Sequence, residues 1–147
     1  MPINTPALLE KFLESRGYTP QISGDSVLLP IGGMDAPYTA AFTFKNGELQ
    51  ITCQLALLGE FPEERIPHLS LVALDANMQI SPFAFAVIGA SEGEVDLERC
   101  PLVLTDTMLT CDLNEEEVSF AVDKLLEALT FSHDILKLGF TPTEAAR

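Results

Sequence analysis

The sequence is poor in basic residues, and this restricts the partners that the protein can have. Eight lysines and arginines stand against 22 aspartates and glutamates, which gives a net charge of −14 at neutral pH. A surface of that charge repels phosphate backbones and anionic lipid headgroups. The composition therefore predicts no nucleic-acid partner and no membrane partner. It favours a protein partner that offers a basic or an apolar segment.

Long apolar runs, a secretion signal and paired cysteines are also lacking. No apolar stretch reaches the roughly 18–20 residues that cross a bilayer. The opening residues, MPINTPALLEKF, contain no basic region followed by an apolar stretch, so they predict no signal peptide. The cysteines, Cys53, Cys100 and Cys111, include no C-x-x-C pair. Such thiols are typical of a reduced, cytoplasmic protein, in which they behave as small apolar side chains.

One short stretch matches a catalytic motif. Residues 89–93 read GASEG, and G-x-S-x-G is the pattern in which serine hydrolases present a nucleophile between a strand and a helix. The residues after Ser91, EGEVDLERCP, have no helical apolar periodicity, and the only later histidine, His133, falls within a predicted helix. We therefore interpret Ser91 as part of an acidic loop, and we predict no catalytic residue.

Cofactor motifs are lacking as well. The sequence contains no Walker loop, no G-x-G-x-x-G and no cysteine or histidine spacing of a zinc site. His68 and His133 are isolated, so each is interpreted as a helix-surface residue. We predict no metal site and no cofactor, and the protein is not expected to be an enzyme.

Apolar periodicity predicts a mixed fold in the first half of the chain. Thr5 and Pro6 are typical of a helix start, and Gly17 of a helix end. Three strands follow, over residues 26–31, 38–45 and 48–57, and Asn46-Gly47 predicts a tight hairpin between the last two. The alternation places Leu49, Ile51, Cys53 and Leu55 on one face of the last strand.

The second half continues with a helix over about residues 63–78 and strands over 80–88 and 101–109. Asn114 and Glu117 predict a capped helix that runs to about Leu138 and stops at Gly139. The sequence thus predicts a single α+β domain over residues 1–147, with an ordered core from about 5 to 139. Its antiparallel sheet of about five strands packs against helices in the order α-β-β-β-α-β-β-α.

The strand predicted over residues 80–88 is apolar on both faces, which is unusual in a small antiparallel domain. One face should meet the helices. The other carries the small residues Ala84 and Ala86, with Ile88 at its end. We interpret these three residues as a homodimer interface, and the alternative is that the domain's own helices or the C-terminal tail cover them.

Several segments together resemble a known family. They are the opening LLEKFLESRGY, the strand LLPI, the hairpin FTFKNGELQITCQL, the middle helix before FAFAVI and the closing NEEEVSFAVDKLLEAL. In order, size and charge they resemble the type III secretion chaperone fold of the CesT (Tir chaperone) group, and the YbjN family of bacterial proteins that shares it. The resemblance covers Thr5 to about Gly139.

The resemblance implies a bacterial homodimer without catalysis that holds an extended segment of another protein by apolar contact and edge-strand pairing. Carried onto this chain, it points to the 38–57 hairpin, with Phe42, Phe44, Leu49 and Ile51, and to the first helix. The alternative is a regulatory or small-ligand-binding protein of the YbjN kind, with a pocket under the loop of residues 89–98. Few polar groups converge on the apolar elements, which favours protein binding.

Overall fold

Six antiparallel strands form one sheet, and three helices complete the fold. The computed structural model describes residues 2–32, 38–89 and 96–140. The elements are α1 (Pro6–Ser15), β1 (Gln21–Ser23), β2 (Ser26–Ile31), β3 (Tyr38–Lys45), β4 (Glu48–Leu57), α2 (Ile66–Ala76), β5 (Ala84–Val87), β6 (Pro101–Leu109) and α3 (Glu115–Phe140). The strands lie in the order β1-β2-β3-β4-β6-β5. The predicted α+β class is confirmed, with one strand more than expected.

Local signals in the sequence define the starts of two helices and one turn. The Leu8 amide donates to Thr5 Oγ1 at 3.2 Å at the start of α1. Asn46 and Gly47 both have positive φ, 54° and 77°, which is the conformation of a two-residue hairpin turn. The amide of Glu117 donates to Asn114 Oδ1 at 2.8 Å, and the Asn114 amide donates to Glu117 Oε1 at 3.1 Å. This reciprocal cap fixes the start of α3.

One face of the sheet forms the core, and the other faces solvent. Phe42, Ile51 and Leu104 are completely buried and share one cluster with α1 and α3 residues such as Leu9 and Leu125. The opposite face is polar and uncharged over most of its area, and its exposed residues include Thr39, Gln50, Gln54 and Thr107. The helices therefore cover a single face, as expected for an antiparallel sheet with one solvated side.

Two strands differ from the prediction. All three residues of β1 are exposed, so this short strand has no apolar alternation that could reveal it. The strand predicted over residues 80–88 is reduced to Ala84–Val87, because residues 80–83 form a turn in which the Phe83 amide donates to the Ile80 carbonyl at 2.9 Å. Ile80 and Phe83 are nevertheless buried, so the apolar pattern reports burial there and not a strand.

An irregularity in β4 changes which residues face the core. The register with β6 shifts between Gln54 and Ala56, so that Ala56 takes a buried position where the prediction had placed Leu55. One extra residue in a strand reverses the alternation beyond it, and this explains the difference.

The end of α3 packs closely on the start of α2. The described helix continues through Gly139 to Phe140, so the prediction that Gly139 ends it is wrong. A Cβ on Gly139 would lie 2.6 Å from Cε1 of Phe61, which explains the glycine by the close approach of that ring. Arg65 donates to the Leu138 carbonyl through Nε at 3.0 Å and Nη2 at 2.7 Å. A cation there satisfies a terminal carbonyl and complements the helix dipole.

Candidate protein interface

The residues proposed for partner binding on the 38–57 hairpin lie mostly inside the domain. Phe42, Leu49 and Ile51 are 0% exposed, and Phe44 is half-buried and packs against the same core. The helices cover the face of the sheet to which these side chains point. The domain itself therefore occupies their apolar surface, and the exposed face of the hairpin is the one that carries threonine and glutamine.

The residues proposed for a dimer interface lie on an edge of the sheet. Ala84 and Ala86 belong to β5, pair with Thr105 and Val103 of β6, and are half-buried. Ile88 follows the strand and is 50% exposed. These positions adjoin a larger apolar surface that the sequence interpretation did not include.

Exposed apolar side chains concentrate on α2 and the end of β5. Among the described residues, eight large hydrophobic side chains are exposed, and five of them lie in this region. They are Leu71 (67% exposed), Leu74 (63%), Met78 (90%), Val87 (36%) and Ile88 (50%), and we call them the α2–β5 surface. Leu71 and Leu74 are three residues apart in α2, so they lie on the same side of the helix, and Met78 follows in the turn just after its end. Clustered exposure of this kind marks interaction sites.

An apolar cleft opens beside this surface. It has a volume of about 230 Å³, and Leu69, Ala73 and Leu74 of α2 line one wall while Phe85, Ala86 and Val87 line the other. The remaining lining residues are Leu58, Leu102 and Ser70, and Ser70 is the only polar one. Ligand pockets usually exceed about 300 Å³ and carry several converging polar groups. The cleft is therefore better suited to a side chain from another protein.

The α2–β5 surface also differs in charge from the rest of the chain. The α2 sequence, IPHLSLVALDA, contains a single acidic residue, Asp75, in a protein whose net charge is −14. Loss of charge at the centre of a surface patch is the compositional signal of a protein interface. Charge and exposure thus point to the same part of the fold.

A second pair of clefts follows α1 and the start of α3. One, of about 320 Å³, is lined by Ile3, Leu8, Lys11 and Phe12, and the other, of about 390 Å³, by Arg16, Glu116, Phe120 and Asp123. Phe12 and Glu115 line both, so the two clefts are continuous. Phe120 is 55% exposed at the mouth of the second. The sequence interpretation had named α1 for partner binding and had explained the acidic residues 115–117 mainly by the start of the helix.

The residues considered for chemistry do not converge in the described ranges. Ser91 lies outside these ranges, with the rest of residues 90–95. His68 and His133 are exposed on α2 and α3. Cys53 and Cys100 are buried, Cys111 is exposed, and burial raises the pKa of the Cys53 thiol to about 12. Among the described residues, no group of three or more metal-ligating side chains lies together, and no helix has the length and apolar character to cross a membrane.

Solved structures share this architecture. YbjN from E. coli, a candidate transcription regulator, matches 87% of this chain over 90% of its own, with a TM-score of 0.62 and 10% sequence identity. The ExsC–ExsE complex matches 89% of this chain over 93% of the other, with a TM-score of 0.56 and 13% identity. No family model and no curated protein sequence matches the chain. The chain has the type III secretion chaperone-like fold, as its sequence predicted.

One of the two solved structures is a complex of two proteins. ExsC is seen in complex with a different protein, ExsE, so this fold binds protein in that case. At 10% and 13% identity the likeness shows the fold alone, and the surfaces of this chain must be argued from its own residues.

One carboxyl of this chaperone-like fold faces the core side of the sheet. Asp106 pairs with Ile51 in the β4–β6 register, and burial raises the pKa of its carboxyl, while a 2.8 Å hydrogen bond from the Thr107 amide partly offsets the rise. A raised folded pKa gives stability that is complete below the unfolded pKa and is lost as the pH rises through the folded value. At neutral pH the ionised carboxyl therefore weakens the fold.

We expect Asp106→Asn to raise the thermal unfolding midpoint at pH 7, because it removes a charge that burial disfavours. Below the ordinary carboxyl pKa the gain should shrink, since Asp106 is then neutral in both states. Thermal unfolding of both proteins across pH 3–7 measures the difference. An equal shift at every pH would assign the change to packing and contradict the electrostatic explanation.

Proposed function

We propose that the chain is a non-catalytic, chaperone-like module that acts as a homodimer and holds an extended segment of a partner protein. The concentration of five exposed apolar side chains on the α2–β5 surface is the observation that carries this proposal. Such a surface in contact with water is unfavourable by roughly 25 cal/mol per Å² of apolar area, and association removes that cost.

A second copy of the chain is the occupant that we propose for the α2–β5 surface. Two chains of net charge −14 repel each other least where their surfaces carry few charges, and α2 carries a single acidic residue, Asp75. A twofold interface requires a patch that is complementary to itself. Here Met78 is 90% exposed, and Leu74 and Val87 of the same surface line a cleft of about 230 Å³ that a second copy's side chain can enter.

The dimer residues named from sequence keep a place in this interface. Ile88 belongs to the α2–β5 surface, and Ala86 lines the cleft. Ala84 lies two residues earlier and pairs with Thr105, so its side chain shares with Ala86 the face of β5 opposite Phe85 and Val87. The sequence interpretation did not include α2 in the dimer interface, and this helix supplies the larger side chains of the interface proposed here.

The partner segment is proposed to lie along α1 and the start of α3. The two continuous clefts there offer apolar contact at Phe12 and Phe120, and Glu115, Glu116 and Asp123 make one wall acidic. Opposite charge at the rim of an interface steers association and fixes register. A segment with an apolar residue next to lysine or arginine fits this chemistry.

We expect the double substitution Leu71→Glu and Leu74→Glu to convert a dimer into a 16 kDa monomer, because four new carboxylates would be buried at a twofold interface. Sedimentation at micromolar to tens of micromolar concentrations measures the mass. Leu109→Glu is a matched control, since Leu109 is 68% exposed but lies at the far end of β6.

A wild-type mass of 16 kDa at every concentration would remove the homodimer from the proposal. Loss of the dimer in the Leu109 control as well would show a general effect of added charge. The apolar cleft is the one observation that supports the alternative of a small ligand. A small apolar molecule that binds wild type and competes with dimer formation would support that alternative.

A further inference from the structure

The free edge of β5 can pair with strands of other chains unless the fold blocks it. Among the residues that the structure describes, β5 is the last strand in the sheet order, so one of its sides has no neighbouring strand there. It lies in the segment FAFAVI, which has no charge, no proline and no glycine. Segments of this composition at an exposed edge pair readily with strands of other chains. Because this edge lies next to a proposed dimer surface, an open edge would let strands of further chains add to the sheet one after another.

The backbone groups that face this edge can be identified from the pairing. In an antiparallel pair, alternate residues direct their N–H and C=O groups to the neighbouring strand. The Ile88 amide donates to the Pro101 carbonyl at 3.1 Å, so Ile88, Ala86 and Ala84 are the residues that face β6. Phe85 and Val87 therefore direct their backbone groups to the free side.

Asn77 occupies the free side at Phe85. The Phe85 amide donates to Asn77 Oδ1 at 2.6 Å, and Asn77 Nδ2 donates to the Phe85 carbonyl at 3.4 Å. One side chain thus accepts from and donates to the same backbone residue, which is the pattern that a residue of an added strand would form. Among Ser, Thr, Asn and Asp, only an amide side chain offers both a fixed donor group and a carbonyl acceptor.

The position of Asn77 is fixed by the end of α2. Asn77 is the C-terminal cap residue of the helix, and its own amide donates to the Leu74 carbonyl at 3.3 Å. On the other side of Phe85, the Phe83 amide already donates to the Ile80 carbonyl. Within the described segment 83–88, Phe83, Phe85 and Val87 direct their backbone groups to the free side. The contacts with Ile80 and Asn77 involve Phe83 and Phe85, so only Val87 takes part in neither. A single residue is too short to anchor an added strand.

We infer that Asn77 is a positioning residue that closes the edge of β5 to strand addition, so that a second copy of the chain docks on the α2–β5 surface through side chains alone. The inference rests on the proposed homodimer for the identity of the occupant. It differs from the edge-strand pairing that the secretion-chaperone resemblance implies, because the strand next to the apolar surface has no free edge at Phe85.

The test compares Asn77→Ala with wild type and with Asn77→Asp. The alanine variant opens the edge, and we expect sedimentation to show assemblies heavier than the wild-type species at the same concentration. The aspartate variant keeps an acceptor for the Phe85 amide and adds a charge at the edge. It should therefore keep the wild-type mass. Hydrogen exchange of the Phe85 amide should be slow in wild type and at least tenfold faster in dilute Asn77→Ala.

The alanine change combined with Leu71→Glu and Leu74→Glu separates this inference from the proposed function. Sheet extension does not use the α2 side chains, so the heavier assemblies should persist in the triple variant. A wild-type monomer with heavier Asn77→Ala assemblies would support edge closure and reject the homodimer. A wild-type dimer whose Asn77→Ala variant loses only stability, with unchanged mass and unchanged Phe85 exchange, would overturn the inference and leave the homodimer in place.

Discussion

Replacing Phe42 by alanine is expected to lower the free energy of unfolding by about 3–5 kcal/mol, the usual cost of removing a large buried aromatic ring. Phe42 is 0% exposed and lies between Val27 of β2 and Ile51 of β4 in the middle of the sheet. Neighbouring strands hold the backbone in place, so the surroundings cannot close the cavity. A domain of this kind has only about 5–15 kcal/mol of stability in total.

Urea unfolding followed by circular dichroism measures this loss. Phe120→Ala is the control, because that ring is 55% exposed and its removal should change the free energy by no more than about 0.5 kcal/mol. Equal losses in the two variants would contradict the assignment of Phe42 to the core. The result also bears on binding experiments, since a partner lost from a Phe42 variant reports a destabilised domain and not a missing contact.

The second large effect is a loss of stability in alkali. Burial raises the pKa of the Cys53 thiol to about 12, while the unfolded chain ionises this thiol near the ordinary value of 9.0. The stability linked to Cys53 is complete below pH 9, because the thiol is then protonated in both states. Between pH 9 and 12 only the unfolded state releases the proton. The free energy of unfolding should therefore fall by about 1.4 kcal/mol per pH unit, or about 4 kcal/mol in all.

Cys53→Val isolates this contribution, since valine is apolar, suits a strand and does not titrate. All other titratable groups are common to the two proteins, so the difference between the two pH profiles reports Cys53. The measurement is urea unfolding at intervals from pH 8 to 11.5 under reducing conditions. Parallel profiles would show that the native protein already ionises Cys53 near pH 9, and would contradict its burial at 0% exposure.

The sequence predicted those parts of the fold that depend on neighbouring residues. Thr5 with Pro6, Asn46-Gly47 and the Asn114–Glu117 pair each define a local conformation, and the structure confirms all three. The bounds of β6, Pro101–Leu109, were also predicted correctly, although its buried residues Leu102, Val103 and Leu104 are consecutive and do not alternate. Element order and charge then led to the chaperone-like fold, which the solved structures confirm.

The candidate interface depends on contacts that periodicity does not report. Alternation separated the two faces of the hairpin, but the assignment of Phe42 and Ile51 to a partner came from the resemblance to secretion chaperones and not from the alternation. In α2 the sequence interpretation identified one apolar stripe, although the helix is apolar on its opposite side as well, at Leu71 and Leu74. A helix that is apolar all round in a small domain was the available signal. The Asn77–Phe85 contact joins two elements across a turn, and no local pattern predicts it.

The long C-terminal helix has a consequence for synthesis on the ribosome. Buried residues of α3, among them Val118, Leu125 and Leu129, belong to the cluster that covers the sheet, and the Ile3 amide donates to the Leu113 carbonyl just before the helix begins. Translation delivers α3 after every other described element. Until its 26 residues leave the exit tunnel, the nascent sheet has an uncovered apolar face. The domain must therefore complete its folding late, and a message truncated before α3 would yield a chain with its core open to aggregation.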